Sequence, residues 1–226
     1  MTAPRVITFD CYGTLVQWRE GLHATLGEIL AGKDPAADVD DFVDAFHEAR
    51  HEETERPYRP YKEILTLALG RALDSLGRTA TADDAARLLE GVRRIGPFPE
   101  VPAALRALRE NARIAIISNS DRDLMVRNVE NIGVPVDHVF VAEDAGAYKP
   151  SLAFFRHVIA GIGCDPAEVL HVGASMSLDM APTRDLGIRR VWIDRLGQRG
   201  DPACEPYERL PDLTDLPDLV ARMRGA

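Results

Sequence analysis

Five short apolar runs, each followed directly by polar or acidic residues, are the feature of this sequence that most constrains its fold. The first run, residues 5–10 (RVITFD), combines β-branched and aromatic side chains and ends at Asp10. Four more runs follow it, at residues 114–117, 139–141, 169–172 and 190–193. Continuous apolar runs of this length are typical of strands buried on both faces of a parallel sheet. The runs and their spacing predict an α/β fold, a Rossmann-like doubly wound parallel sheet.

The polar residues that follow these runs form the candidate site. Asp10 ends the first run, Ser118 and Asn119 follow the second, Lys149 lies after the third, and Asp179 lies after the fourth. Because the carboxyl ends of parallel strands meet at one edge of a sheet, these side chains are expected to share a cleft. Each residue also has a purely structural explanation, such as a turn, a helix cap or an exposed lysine. The coincidence of four such groups at strand ends favours a functional site.

The segment after Asn119 also predicts the start of a helix. Ser120 can cap a helix that runs from Leu124 to Ile132 and is closed by Gly133. Ser118 and Asn119 then remain available to the site.

The chain between the first and second runs is too long for a loop in a compact domain, at about eighty residues. Its apolar periodicity predicts helices over residues 22–30, 39–50, 64–76 and 82–92. We therefore expect a core domain of residues 1–15 and 96–226, with a small helical cap domain inserted at residues 16–95. Within the cap, residues 52–62 alternate aromatic and charged side chains, which either face the cleft or form a helix junction.

The composition limits the class of protein. The chain has 226 residues, 46% of them hydrophobic, and a formal net charge of −9, which suits a packed core and disfavours nucleic acid or anionic membranes as partners. No stretch approaches the ~20 apolar residues of a membrane span, and no secretory signal precedes the first run, so a cytoplasmic protein is expected. Cys11, Cys164 and Cys204 are widely spaced, which predicts reduced thiols and no zinc site.

Together these motifs resemble the signature of the haloacid dehalogenase superfamily over nearly the whole chain. In the first motif, residues 10–14 (DCYGT), Tyr12 stands where the phosphatases of the superfamily carry a second, proton-donating Asp, as it does in the 2-haloacid dehalogenases. In the last motif, residues 173–179 (GASMSLD), Ala174 stands where the phosphatases have the first of two acids around magnesium. The resemblance therefore points to the 2-haloacid dehalogenase branch, and implies no cofactor and little or no dependence on magnesium.

The resemblance also implies a role for each residue of the site. Asp10 would be the nucleophile, Lys149 would offset its charge, and Asp179 would orient or deprotonate the hydrolytic water. The other implied residues bind the substrate or shape the site: Thr14 holds the Asp10 carboxylate, Ser118 and the backbone of Cys11 and Tyr12 bind the substrate carboxylate, Asn119 faces the halide, and Ser175 is a weaker candidate near the water.

Chemistry gives an independent reason for the missing second Asp. An alcohol that leaves a phosphate ester needs a proton, and the phosphate oxygens need a metal to neutralise them. A halide leaves as a stable anion and needs neither. A carboxylate can displace it from a saturated carbon, and water then cleaves the resulting ester to a 2-hydroxy acid.

Three departures from the dehalogenase pattern leave the substrate open. The cap arginine that helps to bind halide in the L-2-haloacid enzymes aligns with His47, so Arg50 or Arg56 would have to supply the cation. Phe155 replaces an expected Tyr, and residues 176–177 replace an expected Asn.

Several alternatives to 2-haloacid cleavage therefore remain. The same Asp ester mechanism can open another carbon–heteroatom bond of a small carboxylate, for example a C–N bond. A magnesium phosphatase and a binding protein without catalysis are the other two classes. The resemblance further suggests a homodimer acting on a small-molecule carboxylate.

Four other side chains near the motifs also have structural explanations. Trp18 is expected either in the wall of the pocket or in ordinary packing, and Trp192 in the core. The Cys11 side chain should point away from that of Asp10. His171 is expected to pack at the end of a strand instead of acting as a base.

Overall fold

One sheet of six parallel strands forms the centre of the protein, described by a computed structural model over residues 4–225. Residues 1–3 and 226, the ends of the predicted core domain, lie outside the described residues, and side chains are described only to residue 223. The strand order is β3-β2-β1-β4-β5-β6. The strands are β1 (Val6–Phe9), β2 (Arg113–Ser118), β3 (His138–Val141), β4 (Val169–Gly173), β5 (Arg189–Ile193) and β6 (Glu208–Leu210).

Helices cover both faces of the sheet and one end of it. They are α1 (Trp18–Ala31), α2 (Val39–Thr54), α3 (Tyr61–Ser75), α4 (Ala82–Arg94), α5 (Val101–Arg109), α6 (Arg122–Ile132), α7 (Ala142–Ala145), α8 (Leu152–Ile162), α9 (Ala181–Asp185) and α10 (Leu216–Gly225).

The predicted doubly wound α/β fold is confirmed, and the five apolar runs form β1 to β5. The sheet has one strand more than the sequence predicts. The extra strand, β6, has only three residues at the edge of the sheet. Glu208 and Arg209 are exposed and Leu210 is half-buried, so the segment lacks the apolar run of a buried strand. The last helix begins at Leu216.

Four helices lie between β1 and α5, close to the positions that the periodicity predicts. We call α1–α4 the cap helices. They supply most of one apolar cluster, which includes Leu26, Phe46, Ile64 and Leu69 and which residues such as Leu124 complete from the core side. The sheet and its flanking helices bury a separate cluster. The division into two domains after residues 15 and 95 stays a prediction.

Two aromatic residues join these clusters. Tyr12 and Trp18 pack against both the cap cluster and the sheet cluster, and their ring centroids lie 4.2 Å apart. Because aromatic side chains bury large areas, this contact helps to fix the cap helices on the end of the sheet.

The start of α6 differs from the prediction that Ser120 caps it. The N-cap position is occupied by Asp121, and neither side chain accepts a hydrogen bond from the first turn of α6. The Ser120 hydroxyl instead lies 3.0 Å from the Tyr12 hydroxyl. The end of the helix is as predicted, with Gly133 at a φ of 69°, a conformation that favours glycine.

Among the described residues, no helix has the length and apolar character needed to cross a membrane.

The close packing of α1 against α4 generates a stability prediction. A Cβ at Gly91 would lie 2.3 Å from Thr25 Oγ1, whereas a Cβ at Gly70 in α3 would meet nothing within 4 Å. Gly91→Ala should therefore destabilise the protein by about 1–3 kcal/mol through overpacking. Gly70→Ala should stabilise it by up to about 1 kcal/mol, because alanine is the better helix former. Thermal unfolding of both variants measures the two effects, and shifts of the same sign would contradict this account of the α1–α4 contact.

Candidate active site

The predicted site residues meet at the carboxyl edge of the three central strands. Strand β1 lies between β2 and β4, so the segments that follow these strands are neighbours. Asp10 follows β1, Ser118 ends β2, and Asp179 lies in a short π-helical turn, Met176–Met180, after β4. Lys149 enters the same space from the loop between α7 and α8.

The Lys149 ammonium group connects the two carboxylates. Its Nζ donates to Asp10 Oδ1 at 2.6 Å and to Asp179 Oδ1 at 2.7 Å. Lys149 is 3% exposed, Asp10 is 8% exposed and Asp179 is fully buried. A compact ammonium suits a position between two carboxylates because it acts as a point charge with three donors.

The three charges shift one another's protonation. Burial alone would lower the pKa of Lys149, but Asp10 and Asp179 raise it above its usual value. Burial disfavours ionised Asp179, yet Lys149 and His171 together hold the pKa of this carboxyl well below its usual range. Burial and the charge of Asp179 raise the pKa of Asp10 by more than Lys149 lowers it. Asp179 is therefore a permanent anion and a weak base.

Thr14 holds the second carboxylate oxygen of Asp10. Its hydroxyl donates to Asp10 Oδ2 at 2.7 Å and accepts from the Ala174 N–H at 3.0 Å. The same hydroxyl therefore ties the first motif to the last one.

Ser118 provides a donor without a partner. Its Oγ is buried, and it makes no hydrogen bond within residues 4–225. A buried polar atom of this kind calls for an explanation, and a bound ligand is one. The turn after Asp10 is closed by N–H groups of residues 14–16, which donate to the Cys11 carbonyl, and these bonds leave the N–H groups of Cys11 and Tyr12 unused.

Asn119 acts on the backbone of Lys149. Its Oδ1 accepts from the Lys149 N–H at 2.7 Å, and its Nδ2 donates to the Lys149 carbonyl at 3.0 Å. This paired contact fixes the loop that carries the ammonium group. A role for Asn119 toward a leaving halide stays a prediction.

Asp179 is surrounded by donors on both oxygens. Its Oδ2 accepts from the Ser175 N–H at 3.1 Å, while the Ser175 hydroxyl accepts from the Leu178 N–H and caps the π-helical turn. A Cβ at Gly173 would lie 2.5 Å from Asp179 Cγ, so this carboxylate can occupy its position only above a glycine. The water-activating roles predicted for Asp179 and Ser175 are not tested by these contacts.

His171 is a member of the site that the sequence did not reveal. It packs edge-on against Phe155, as expected for a strand residue, but its Nε2 also lies 3.3 Å from Asp179 Oδ1. Its Nδ1 lies 2.9 Å from Thr8 Oγ1. A histidine within an apolar strand, directly before the last motif, was the available signal.

Aromatic side chains form one wall beside Asp10. Tyr61, at the start of α3, lies 6.3 Å from Tyr12 and 6.3 Å from Trp18, measured between ring centroids. Burial raises the pKa of Tyr61. Its ring contact with Tyr12, two residues after Asp10, places Tyr61 on the side of the cleft next to Asp10. Trp18 therefore belongs to the wall. Trp192 is buried in the core, as predicted.

The structure distinguishes the three candidate cap cations. Arg56 pairs with Glu53 at 3.1 Å. Burial and the charge of Arg50 lower the pKa of His47 to about 4, so His47 is neutral at pH 7. Arg50 forms no ion pair in the described part of the chain, its Nε is buried without a partner, and its charge acts on Tyr61.

The Cys11 side chain is packed in the sheet cluster. Burial and the charge of Asp10 raise the pKa of this thiol well above its usual value, so it is no nucleophile. All three cysteines are free.

The donor set does not fit a magnesium ion. Asp10 Oδ1 and Asp179 Oδ1 are both bound to the Lys149 ammonium, and Ala174 offers no third carboxylate. Within the part of the chain that the structure describes, no group of three or more His, Cys, Asp or Glu side chains is arranged to hold a metal. Magnesium prefers several oxygen ligands in octahedral geometry.

The opposite pKa shifts of the two carboxylates generate a stability prediction. The pKa of Asp10 in the folded protein is raised above its ordinary value of about 3.9. The folded protein therefore loses stability as the pH rises from this ordinary value through the raised pKa. Asp10→Asn should therefore raise the melting temperature at pH 8, by about 2–4 °C for each kcal/mol, and the gain should shrink toward pH 4. Asp179→Asn is the matched control with the opposite sign, because the folded pKa of Asp179 is lowered and its ionised form stabilises the fold at neutral pH. Equal shifts for the two variants would contradict this description.

Comparison with known proteins places these observations in context. Residues 4–187 match the model of the haloacid dehalogenase-like hydrolases. Haloacetate dehalogenase H-2 from Moraxella sp. (strain B) is 32% identical over 160 residues, which is 70% of this chain and 69% of that protein. A phosphoserine phosphatase from Thermus thermophilus is 30% identical over 129 residues, 55% of this chain and 51% of that protein.

A solved structure has the same fold. The L-2-haloacid dehalogenase from Xanthobacter autotrophicus superposes with a TM-score of 0.85 over 97% of this chain and 99% of that one, at 22% sequence identity. At this identity the likeness concerns the fold alone.

Proposed function

The chain belongs to the haloacid dehalogenase-like hydrolases, and we propose that it cleaves the carbon–halogen bond of a small 2-halocarboxylate with Asp10 as the nucleophile. The product is the 2-hydroxy acid.

The observation that carries the proposal is that position 12, two residues after Asp10, holds no carboxylic acid that could protonate a leaving group. Tyr12 stands in the place of the phosphatase acid, and its hydroxyl is bonded to Ser120 and Asn128 at 3.0 and 3.1 Å. Burial raises the pKa of Tyr12 well above its usual value, so it is a poor acid. A leaving group that departs from this site must therefore be stable as an anion, and a halide is.

The reaction has two steps. In the first, a carboxylate oxygen of Asp10 bonds to C2 of the substrate while the carbon–halogen bond breaks and the halide takes the bonding electrons. In the second, water attacks the carboxyl carbon of the resulting ester, which returns the Asp10 carboxylate and releases the 2-hydroxy acid and a proton.

The free donors of the site suit the substrate carboxylate. Ser118 Oγ is buried without a partner, and the N–H groups of Cys11 and Tyr12 are not used by the turn. These three donors lie at the edge of the sheet that carries Asp10, so a carboxylate bound there would present its C2 atom to the nucleophile.

Lys149 and Asp179 act together in this proposal. The ammonium group keeps Asp10 ionised before the displacement and stabilises the carboxylate that returns on hydrolysis. Asp179 orients the hydrolytic water and holds Lys149, and its lowered pKa gives it little strength as a base.

Arg50 is the cap residue proposed to receive the departing anion. It is the candidate cation without a carboxylate partner, whereas Arg56 is paired with Glu53 and His47 is neutral at pH 7. Its neighbour Tyr61 contacts the wall beside Asp10. Because this cation does not occupy the place of the halide-binding arginine in the dehalogenase pattern, a different leaving group on the same carbon is the alternative proposal.

The proposed setting is a cytoplasmic enzyme that acts on a small-molecule carboxylate as a homodimer, without nucleic acid or membrane partners. The net charge of −9 supports the exclusion of polyanionic partners.

Halide release tests the proposed reaction. L- and D-2-chloropropionate and fluoroacetate are incubated with the wild type in EDTA, and free halide is measured. We expect release from at least one substrate, no increase with magnesium, and a loss of at least about 10³-fold in Asp10→Asn, as for removal of other enzymatic nucleophiles. Release of phosphate from phosphate esters that requires magnesium, without halide release, would show that the chain is a phosphatase.

The role of Arg50 is tested against its neighbour. Arg50→Gln should lower kcat for halide release about 10–100-fold, equivalent to about 1.4–2.7 kcal/mol, and should weaken product inhibition by halide. Arg56→Gln removes an equal charge that is paired with Glu53, so it should change kcat less than about twofold. Similar losses in the two variants would mean that the cap charge acts only at long range.

A further inference from the structure

Asp121 caps a helix that is not its own. It occupies the N-cap position of α6, yet its side chain makes no hydrogen bond to α6. Its carboxylate instead accepts from the backbone N–H of Tyr61 at 2.8 Å and from that of Lys62 at 2.8 Å. These are the first two residues of α3, one of the cap helices.

The start of α3 depends on this contact. The residue before the helix is Pro60, whose side chain has no hydrogen-bond acceptor, and α3 has no other side-chain cap. The first N–H groups of a helix have no partner within it and attract a negative charge. Asp121 is fully buried, so its carboxylate is held there away from the screening of water.

The contact links the two sides of the candidate site. Asp121 directly follows the segment with Ser118 and Asn119, and Tyr61 forms the wall beside Asp10 together with Trp18. One side chain of the core thus determines where the aromatic wall of the cap begins.

Other contacts across this interface differ in kind. Asp123 pairs with Lys62 at 2.8 Å and with Arg93 at 3.1 Å, but these side chains are 29–47% exposed, so water and salt weaken the pairs. At the far side, Asn128 Nδ2 donates to the Val92 carbonyl at the end of α4. The Asp121 contact differs from these because it combines a buried carboxylate with the first N–H groups of α3.

We propose that Asp121 is a positioning residue that seats α3 on the core and thereby holds Tyr61 and Trp18 closed over the Asp10 cleft. The inference concerns the same site as the proposed dehalogenase function, but it rests on contacts that require no substrate.

The informative variant is Asp121→Asn. An amide of the same shape accepts from one N–H group and presents its own NH₂ to the other, so one hydrogen bond is lost and two donors face each other. Asp123→Asn is the matched control, because it removes an exposed charge at the same interface.

A second variant distinguishes the attachment of α3 to the core from the capping of α3 alone. Pro60→Ser, added to Asp121→Asn, gives α3 an N-cap of its own whose hydroxyl can accept from Lys62 or Glu63. This variant restores the start of the helix but not its attachment to the core.

Two measurements on the full chain are needed. Amide hydrogen exchange at Tyr61 and Lys62 reports the capping bonds. Acrylamide quenching of tryptophan fluorescence reports the wall, because Trp192 is 1% exposed and contributes a constant background to the signal of Trp18.

In Asp121→Asn we expect exchange at both amides to accelerate at least tenfold and the quenching constant to rise about 1.5–2-fold, with Asp123→Asn within experimental error of the wild type. With Pro60→Ser added, exchange at Lys62 should slow again while quenching stays raised. A quenching constant equal to that of the wild type in the Pro60→Ser, Asp121→Asn double variant would show that Asp121 serves only helix stability. Unchanged exchange in Asp121→Asn would show that Asp121 does not protect the two amides. Either result would overturn the proposal. If Asp121→Asn shows faster exchange and stronger quenching while the wild type releases no halide, the positioning role of Asp121 stands and the dehalogenase function is rejected.

Discussion

A buried ammonium group between two buried carboxylates is the interaction on which the rest of the site depends. Removing the ammonium group from such a cluster typically costs about 3–5 kcal/mol, because it leaves two carboxylates uncompensated away from water. Each neighbouring contact restricts one member of this triad. Asn119 fixes the backbone of Lys149, Thr14 holds the free oxygen of Asp10, and His171 and the Ser175 N–H hold Asp179. The strand order, with β1 between β2 and β4, is what brings these contacts together.

The charges of the triad determine which chemistry the site can perform. Two carboxylates and one ammonium group carry a net negative charge. The pKa of Asp179 is lowered and that of Asp10 is raised, so Asp179 stays ionised and Asp10 is the more basic carboxylate. The basic carboxylate is the better nucleophile. The ammonium group bonds one oxygen of each carboxylate, and Tyr12 offers no useful proton. These conditions suit the departure of a stable anion from carbon and do not suit the departure of an alkoxide from phosphorus.

The sequence predicts the features that depend on local patterns, such as the sheet and the triad, and misses those that depend on contacts between residues distant in sequence. Apolar runs and the polar residues at their ends are local, so β1 to β5 and the meeting of Asp10, Lys149 and Asp179 follow from them. The missed features depend on partners that are distant in sequence. Asp121 bonds to Tyr61 and Lys62, which lie 60 and 59 positions earlier in the chain, whereas the local pattern predicts only that Ser120 caps α6. Strand β6 forms by pairing with β5 and has no apolar run of its own.

The division of roles between the core and the cap helices explains why the departure at His47, which lies in α2, concerns the substrate more than the mechanism. Displacement and hydrolysis require groups at the strand ends, and these positions are fixed by the register of the parallel sheet. In the proposed reaction the leaving group and the substituent on C2 would face α2 and α3, where a different turn of a helix can supply a cation and an aromatic ring can change without disturbing the sheet. Arg50 and Tyr61 lie on these helices. The identity of the substrate is therefore encoded in the cap helices and in the contacts that seat them, while the triad sets only the class of reaction.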